Sequence, residues 1–105
     1  MILCTTESVP GRAISAVLGL VRGNTVRSGH FGEDMNAWLK NLVGGEIHEY
    51  TKLMAQAREE ALDRMMEEAR AQGADAVVGL RFSGCEIATG AAEFLAYGTA
   101  VRLAR

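Results

Sequence analysis

The sequence predicts a small α+β domain in which two helices pack on one face of a mixed or antiparallel β-sheet. Two observations lead to this fold class: strand-like apolar stretches lie toward both ends of the chain, and helical patterns occupy the middle. Because strands and helices are grouped rather than alternating, a sheet with helices on one face is favoured over repeated strand–helix–strand units. A length of 105 residues matches one domain, so we expect residues 1–105 to form a single unit.

The N-terminal part of the chain contains two predicted strands. Residues 2–6 are a short β-prone run, and Pro10-Gly11 then signals a turn. Residues 13–21 are apolar on both alternating sets of side chains, which is typical of a strand that is covered on both faces. The Gly23-Asn24 pair predicts a turn that is followed by a short extended piece.

A helix is predicted between Ser28-Gly29-His30 and the glycine pair Gly44-Gly45. Apolar side chains recur at three- and four-residue steps, acidic residues come early, and Lys40 comes late, which suits the helix dipole. The members of the apolar stripe are Phe31, Met35, Trp38, Leu39 and Leu42.

The longest predicted element is a helix over residues 52–72. This segment has no glycine, proline or β-branched residue, and its apolar face consists mainly of alanine and methionine. A sheet can approach such a low surface closely. Thr51 is the predicted N-cap and Gly73 the predicted left-handed residue after the helix, while residues 46–50 either extend the helix backwards or lead into it.

Two further strands are predicted after the long helix. Residues 76–82 have almost no polar interruption, which is typical of a strand covered on both faces. Residues 83–90 form a loop or a weak β-arm, and residues 93–103 form the last strand. Since helices on one side leave the other side of this apolar sheet uncovered, we expect copies of the chain to cover it.

Composition argues against several functional classes. The net charge of −2 and the pI near 5.6 disfavour nucleic-acid binding, which needs clustered Lys and Arg. No apolar run is long enough to span a membrane, and the N-terminus does not resemble a signal peptide. We therefore expect a cytoplasmic protein with no nucleic-acid or membrane partner, in which Cys4 and Cys85 are free thiols.

Motifs spread over the whole chain resemble those of one family. They are Thr5-Thr6, GLVRGNTV at 19–26, GGEI at 44–47, Tyr50-Thr51, REEA at 58–61, Arg64-Met65, GADAVVG at 73–79 and AYGTAV at 96–101. Together they resemble the YbjQ-like family of small bacterial and archaeal proteins, which carries the label "putative heavy-metal-binding domain". The resemblance implies an α+β fold assembled as a ring-shaped pentamer, and it implies no established catalytic residues. Cys4 and Gly84-Cys85 depart from the residues that we expect at those positions.

Given the family label, the candidate metal ligands are the four side chains that can bind a soft metal: Cys4, His30, His48 and Cys85. No two of them have the short spacing that protein metal sites normally show. We therefore expect incidental thiols, surface histidines and no metal cofactor. A metal site shared between subunits is the alternative.

A second candidate site is an anion or small-molecule pocket formed by Arg22, Asn24, Arg81 and Tyr97 within the ring. Arg81 lies inside an apolar strand, and a buried charge requires a partner. The structural alternative is therefore an ion pair between Arg81 and Glu93, in the sheet or between subunits.

No catalytic motif is present in the sequence. We predict a cytoplasmic homo-oligomer, expected to be a pentamer, that binds a small ligand or a heavy metal. The alternative is an enzyme with an active site between subunits. Converging titratable side chains in a pocket between subunits would favour the enzyme, whereas an apolar and neutral lining would favour binding alone.

Overall fold

A computed structural model of the chain describes residues 1–28, 45–88 and 91–105. Its helix and strands, in chain order, are β1 (Ile2–Leu3), β2 (Ile14–Ser28), α1 (Gly45–Ala71), β3 (Ala76–Ala88) and β4 (Ala91–Leu103). The α+β class is confirmed. The helix predicted from the Phe31–Leu42 stripe lies outside the described residues, so the described part shows one helix on the sheet.

The strands form one mixed sheet in the order β1-β3-β4-β2. β4 pairs antiparallel with both β2 and β3, and β1 pairs parallel with β3. The predicted small mixed sheet is thus confirmed. β2, β3 and β4 contain 15, 13 and 13 residues, whereas β1 contains 2, so three long strands extend well beyond the short one.

Two strands are longer than the sequence predicts. The turn predicted at Gly23-Asn24 is wrong, because β2 continues to Ser28. A Cβ atom on Gly23 would lie 2.3 Å from both the Ala61 carbonyl oxygen and the Met65 amide nitrogen of α1, so this glycine permits a close helix–strand contact. The segment predicted as a loop or β-arm after residue 82 is a β-arm as far as Ala88.

The C-terminal end of α1 is capped as predicted, whereas its N-terminal end is not. The helix begins at Gly45, so Thr51 lies inside it, and the predicted N-cap at Thr51 is wrong. Gly73 has φ 77°, its N–H donates to the Arg70 carbonyl at 3.0 Å, and the Ala74 N–H donates to the Ala69 carbonyl at 3.1 Å. These two bonds form a Schellman C-cap, which confirms the prediction for Gly73. Neither α1 nor any other helix in the described ranges is long and apolar enough to cross a membrane.

Small side chains bring α1 onto the sheet. The fully buried residues of this core are Ala61, Met65 and Ala69 from the helix and Val21, Val77, Ala96 and Ala100 from the strands. The predicted stripe of alanine and methionine is therefore the face of α1 that packs on the sheet.

The opposite face of the sheet is covered at one end only. There, Val9 of the segment between β1 and β2 packs with Ala76, Val78, Val101 and Leu103. Farther along, the side chains of Val17, Leu20, Val26 and Tyr97 are 67%, 59%, 48% and 36% exposed. We call this surface, from Val17 to Val26 along β2, the open face. The cover predicted for both faces of β2 is not made within the described part of one chain.

Candidate functional site

Three of the four residues predicted to bind a ligand form one row across the open face. Tyr97 of β4 lies opposite Arg22 of β2 on one side and opposite Arg81 of β3 on the other. Directly opposed residues of antiparallel strands share a face, with Cβ atoms about 4.5–5.5 Å apart. Tyr97 therefore lies between two arginines, and we call these three residues the arginine–tyrosine row.

A β-bulge in β3 determines that Arg81 belongs to this row. The register shifts between Val78 and Arg81, so that Gly79 and Leu80 together face Gly98. Gly79 has φ 62°, the left-handed conformation that a glycine-led bulge requires. Without the extra residue, alternation from Val78 would place Leu80 on the open face. With it, Leu80 is buried in the core under α1 and Arg81 is exposed.

The segment that follows β1 holds the guanidinium group of Arg81. Arg81 Nη1 donates to the carbonyl oxygens of Thr5 and Leu80, both at 2.8 Å. The ion pair predicted between Arg81 and Glu93 is not formed within one chain, because the register places Glu93 opposite Cys85; the same pair between subunits stays a prediction. Glu93 is four residues from Tyr97 along β4, which corresponds to about 13 Å.

Asn24, the fourth predicted ligand-binding residue, lies one row farther along the open face. It is opposite Leu95, and its Nδ2 donates to Glu93 Oε2 at 3.2 Å. The structure thus brings Arg22, Tyr97 and Arg81 together, while Asn24 is a neighbour whose amide is engaged by Glu93.

An open depression of about 350 Å³ adjoins the arginine–tyrosine row. Its walls include the apolar side chains of Ile14, Val17, Val78 and Val101, together with Thr99. Val78 and Thr99 are register partners in the row next to that of Arg81 and Tyr97. An apolar depression therefore has cationic side chains at its edge.

Sequence reasoning missed this depression. Glu7, which also lines it, comes from the segment between β1 and β2, whereas the rest of the lining comes from β2, β3 and β4. Because these segments are far apart in the sequence, the spacing of residues within one segment cannot predict the site. The nearest signal in the sequence is the bulge-forming Gly79, which could be recognised only after the strand pairing was known.

The two cysteines do not share a site within one chain. Both are free. The amide of Cys4 donates to the Val77 carbonyl at 2.9 Å, which places Cys4 beside the beginning of β3. Cys85 is eight residues beyond Val77 along that strand, which corresponds to about 26 Å. The register brings Cys85 instead opposite Glu93.

A complete metal site is not present in the ranges that the structure describes. No group of three or more His, Cys, Asp or Glu side chains that could hold a metal ion occurs there. His30 lies outside the described residues. His48 belongs to α1 by its backbone, and its side chain lies outside the described part. Cys85 and Glu93, which lie opposite each other, do not by themselves supply the four-ligand shell of a structural zinc site.

A second polar cluster ties β2 to α1. Glu60 accepts a hydrogen bond from Arg27 and forms an ion pair with Arg64, whose Nη2 lies 2.5 Å from Glu60 Oε1. Arg64 Nη1 also donates to the Asn24 carbonyl oxygen at 2.6 Å. The hydrogen bond from Arg27 lowers the pKa of Glu60, the attraction of both arginines adds to this effect, and desolvation opposes it. Because these charges pair with one another, we interpret the cluster as a structural contact between β2 and α1.

Comparison with known proteins gives matches along the whole chain. The model of a YbjQ family, described as "putative heavy-metal-binding", matches residues 1–104. A UPF0145 protein of Archaeoglobus fulgidus is 58% identical over 103 residues, which cover 98% of this chain and 95% of that protein. UPF0145 proteins of Thermotoga maritima and Vibrio parahaemolyticus are 55% and 52% identical, with 98% of this chain and 97% and 98% of those proteins covered.

The fold also matches a solved structure. A crystal structure of a protein of unknown function from Pediococcus pentosaceus, assigned to the DUF74 family, is similar with a TM-score of 0.67. The match covers 99% of this chain and 98% of that one at 17% sequence identity, so the likeness concerns the fold alone.

Proposed function

The chain belongs to the YbjQ-like family of UPF0145 proteins, and from that premise we propose that it is a ligand-binding homo-oligomer of the cytoplasm rather than an enzyme. Its ligand is a small anion held by the arginine–tyrosine row. The observation that carries this proposal is the strand register, which places Arg22 and Arg81 on either side of Tyr97.

The charges on the open face favour an anionic ligand. Within the described residues, neither Arg22 nor Arg81 forms an ion pair with a carboxylate; the ion pairs there join Glu60 to Arg27 and Arg64. Guanidinium groups bind carboxylate and phosphate through paired hydrogen bonds. An anion between the two arginines would also reduce their mutual repulsion.

The exposed edges of the sheet support assembly. β2 lies at one edge, and β3 lies beside only the two-residue β1 at the other, so within the described residues both long strands present unpaired backbone groups. Unpaired edges readily pair with another chain. Pairing of two different edges is head-to-tail, and such contacts form a ring when the rotation from one copy to the next closes. We expect the ring to be a pentamer, as the family resemblance implies.

Heavy-metal binding is a second candidate function, which the Cys85–Glu93 pairing favours. Among the described residues this pair supplies two donors, so the ion would need further donors from a second copy. Zinc chloride added to the oligomer should then raise its melting temperature, and Cys85→Ser should abolish the rise. An unchanged melting temperature in the unmodified protein would remove this candidate.

Native mass spectrometry tests assembly and ligand together. It reports the number of subunits and any small molecule or metal that the purified protein retains. Titration with inorganic phosphate, followed by calorimetry, should show binding that Arg22→Met weakens by about tenfold or more, the scale of a lost hydrogen bond to a charged group. Arg58→Met is the matched control, because Arg58 is exposed on α1, away from the open face. Equal binding by both variants would contradict the proposed site.

A further inference from the structure

We propose that the ligand is a small amphipathic organic acid: its anionic head contacts Arg22 and Arg81, and its apolar body lies in the adjoining depression. This inference rests on the function proposed above and adds the chemical class of the ligand.

The depression lies close enough to the arginine–tyrosine row for one small ligand to reach both. Val78 and Thr99 line the depression, and they occupy the row next to that of Arg81 and Tyr97. Residues two positions apart in a strand are about 6.5–7 Å apart. A head group at the arginines and a short chain of a few carbon atoms therefore reach both places at once.

The lining of the depression is mainly apolar. Ile14 and Val17 give it accessible apolar walls beside the buried Val78 and Val101, and its volume of about 350 Å³ lies near the lower end of small-ligand sites. Val17 is 67% exposed in one chain, so the described residues leave its apolar surface uncovered. An inorganic anion would leave this surface uncovered, whereas an acid with an apolar body would bury it.

The charge of Glu7 determines the orientation of the ligand. The Glu7 side chain also lines the depression, and within the described residues it forms no ion pair with Arg81. A carboxylate there repels a second negative charge. The head group is consequently directed to the arginine–tyrosine row, and the neutral body faces the depression.

A series of straight-chain carboxylates tests the inference on the intact, assembled protein. Acetate, butanoate, hexanoate and octanoate are titrated by calorimetry, with the 1-alkanols of equal length as uncharged controls. We expect each added methylene to tighten Kd by roughly twofold to fourfold until the depression is filled. The alkanols should bind about tenfold or more weakly, because they lack the charge that the arginines recognise.

Two variants separate the parts of the ligand. Val17→Asn should reduce the gain in affinity per added methylene group, because Val17 is largely exposed and belongs to the depression. Arg22→Met should weaken every acid in the series by a similar factor. Thermal unfolding of both variants checks that the fold is retained.

The outcomes distinguish this inference from the proposed function. Equal affinity for acetate and octanoate would overturn the amphipathic ligand and leave anion binding intact. Equal affinity for acids and alkanols would overturn the role of the arginines in both proposals. Absence of binding by phosphate and by every carboxylate would overturn both.

Discussion

At the scale of single residues, Gly23 sets the separation between α1 and the sheet. Its hypothetical Cβ would lie 2.3 Å from backbone atoms of Ala61 and Met65, and backbone atoms of a helix cannot move aside without disturbing the whole element. Gly84 offers a matched comparison in β3, because its Cβ would come closest to the Phe94 ring, at 3.2 Å, with the Glu93 carbonyl oxygen at an ordinary 3.7 Å.

Gly23→Ala should therefore lower the free energy of unfolding by about 3 kcal/mol, at the upper end of overpacking effects. Gly84→Ala should lower it by less than about 1 kcal/mol, because an aromatic side chain can shift by a few tenths of an ångström. Urea denaturation of both variants measures the difference. Equal destabilisation would show that α1 does not approach β2 as closely as described.

Glu60 makes stability depend on pH. Its pKa is lowered in the folded protein from the ordinary 4.5, mainly by the hydrogen bond from Arg27. A carboxyl whose pKa is lower when folded stabilises the protein above its unfolded pKa, and this contribution is lost as pH falls through the folded pKa. The free energy of unfolding should therefore decline as pH decreases below about 4.5.

Glu60→Gln should remove this part of the pH dependence, because the amide does not titrate. Glu67→Gln is the control, since Glu67 is an exposed carboxylate of the same helix without an ion pair in the described residues. The measurement is chemical denaturation between pH 7 and pH 3. If Glu60→Gln and the unmodified protein lost stability in parallel, the Arg27–Glu60 contact would not be a stabilising one.

At the scale of elements, the bulge in β3 links the core to the candidate site. Gly79 has φ 62°, and a Cβ there would meet no other atom within 4 Å. A side chain at position 79 would therefore cause no steric clash, and its cost would come from the backbone conformation alone. The left-handed conformation costs an L-residue about 1–2 kcal/mol.

Gly79→Val should consequently destabilise the fold more than Gly79→Asn, because asparagine tolerates the left-handed region and β-branched residues do not. Where the valine variant still folds, loss of the bulge should displace Arg81 from the row and weaken phosphate binding. Calorimetry and thermal unfolding on the same samples check both effects. Identical behaviour of the two variants would indicate that the bulge does not position Arg81.

The same bulge shows why sequence alone predicted only part of this protein. Periodicity located the long helix, its end at Gly73 and the strands, because these depend on local pattern. The Gly23-Asn24 pair has the composition of a turn, but contact with α1 decided its conformation. Arg22, Tyr97 and Arg81 could be proposed as a group, whereas an Arg81–Glu93 pair is not formed within one chain, because the pairing of β3 with β4 places Glu93 opposite Cys85, four residues along from Arg81.

At the scale of the whole molecule, one chain exposes an unusual amount of apolar sheet. Its radius of gyration is 16.9 Å and its extents are 53 × 23 × 17 Å. A compact domain of this length has a radius of gyration of about 13 Å. The long strands that cause the difference carry the open face, where Val17 and Leu20 are more than half exposed.

An elongated chain whose described residues leave two sheet edges unpaired and an apolar face open is expected to be stable chiefly as an oligomer. Leu20→Lys should then disrupt assembly, since a lysine buried between copies would lack a partner for its charge. Gln56→Lys introduces the same side chain at an exposed position of α1 and should leave assembly intact. Light scattering after gel filtration gives the mass of each variant.

For the unmodified protein, we also expect a melting temperature that rises with protein concentration, because association stabilises the folded state by mass action. A single folded subunit at micromolar concentration would contradict assembly. So would Leu20→Lys with the mass of the unmodified protein, because Leu20 is 59% exposed in one chain and is covered only if copies meet on this face. The arginine–tyrosine row lies on the same face, so oligomer and ligand are expected to stabilise each other, and phosphate should raise the melting temperature of the unmodified protein more than that of Leu20→Lys.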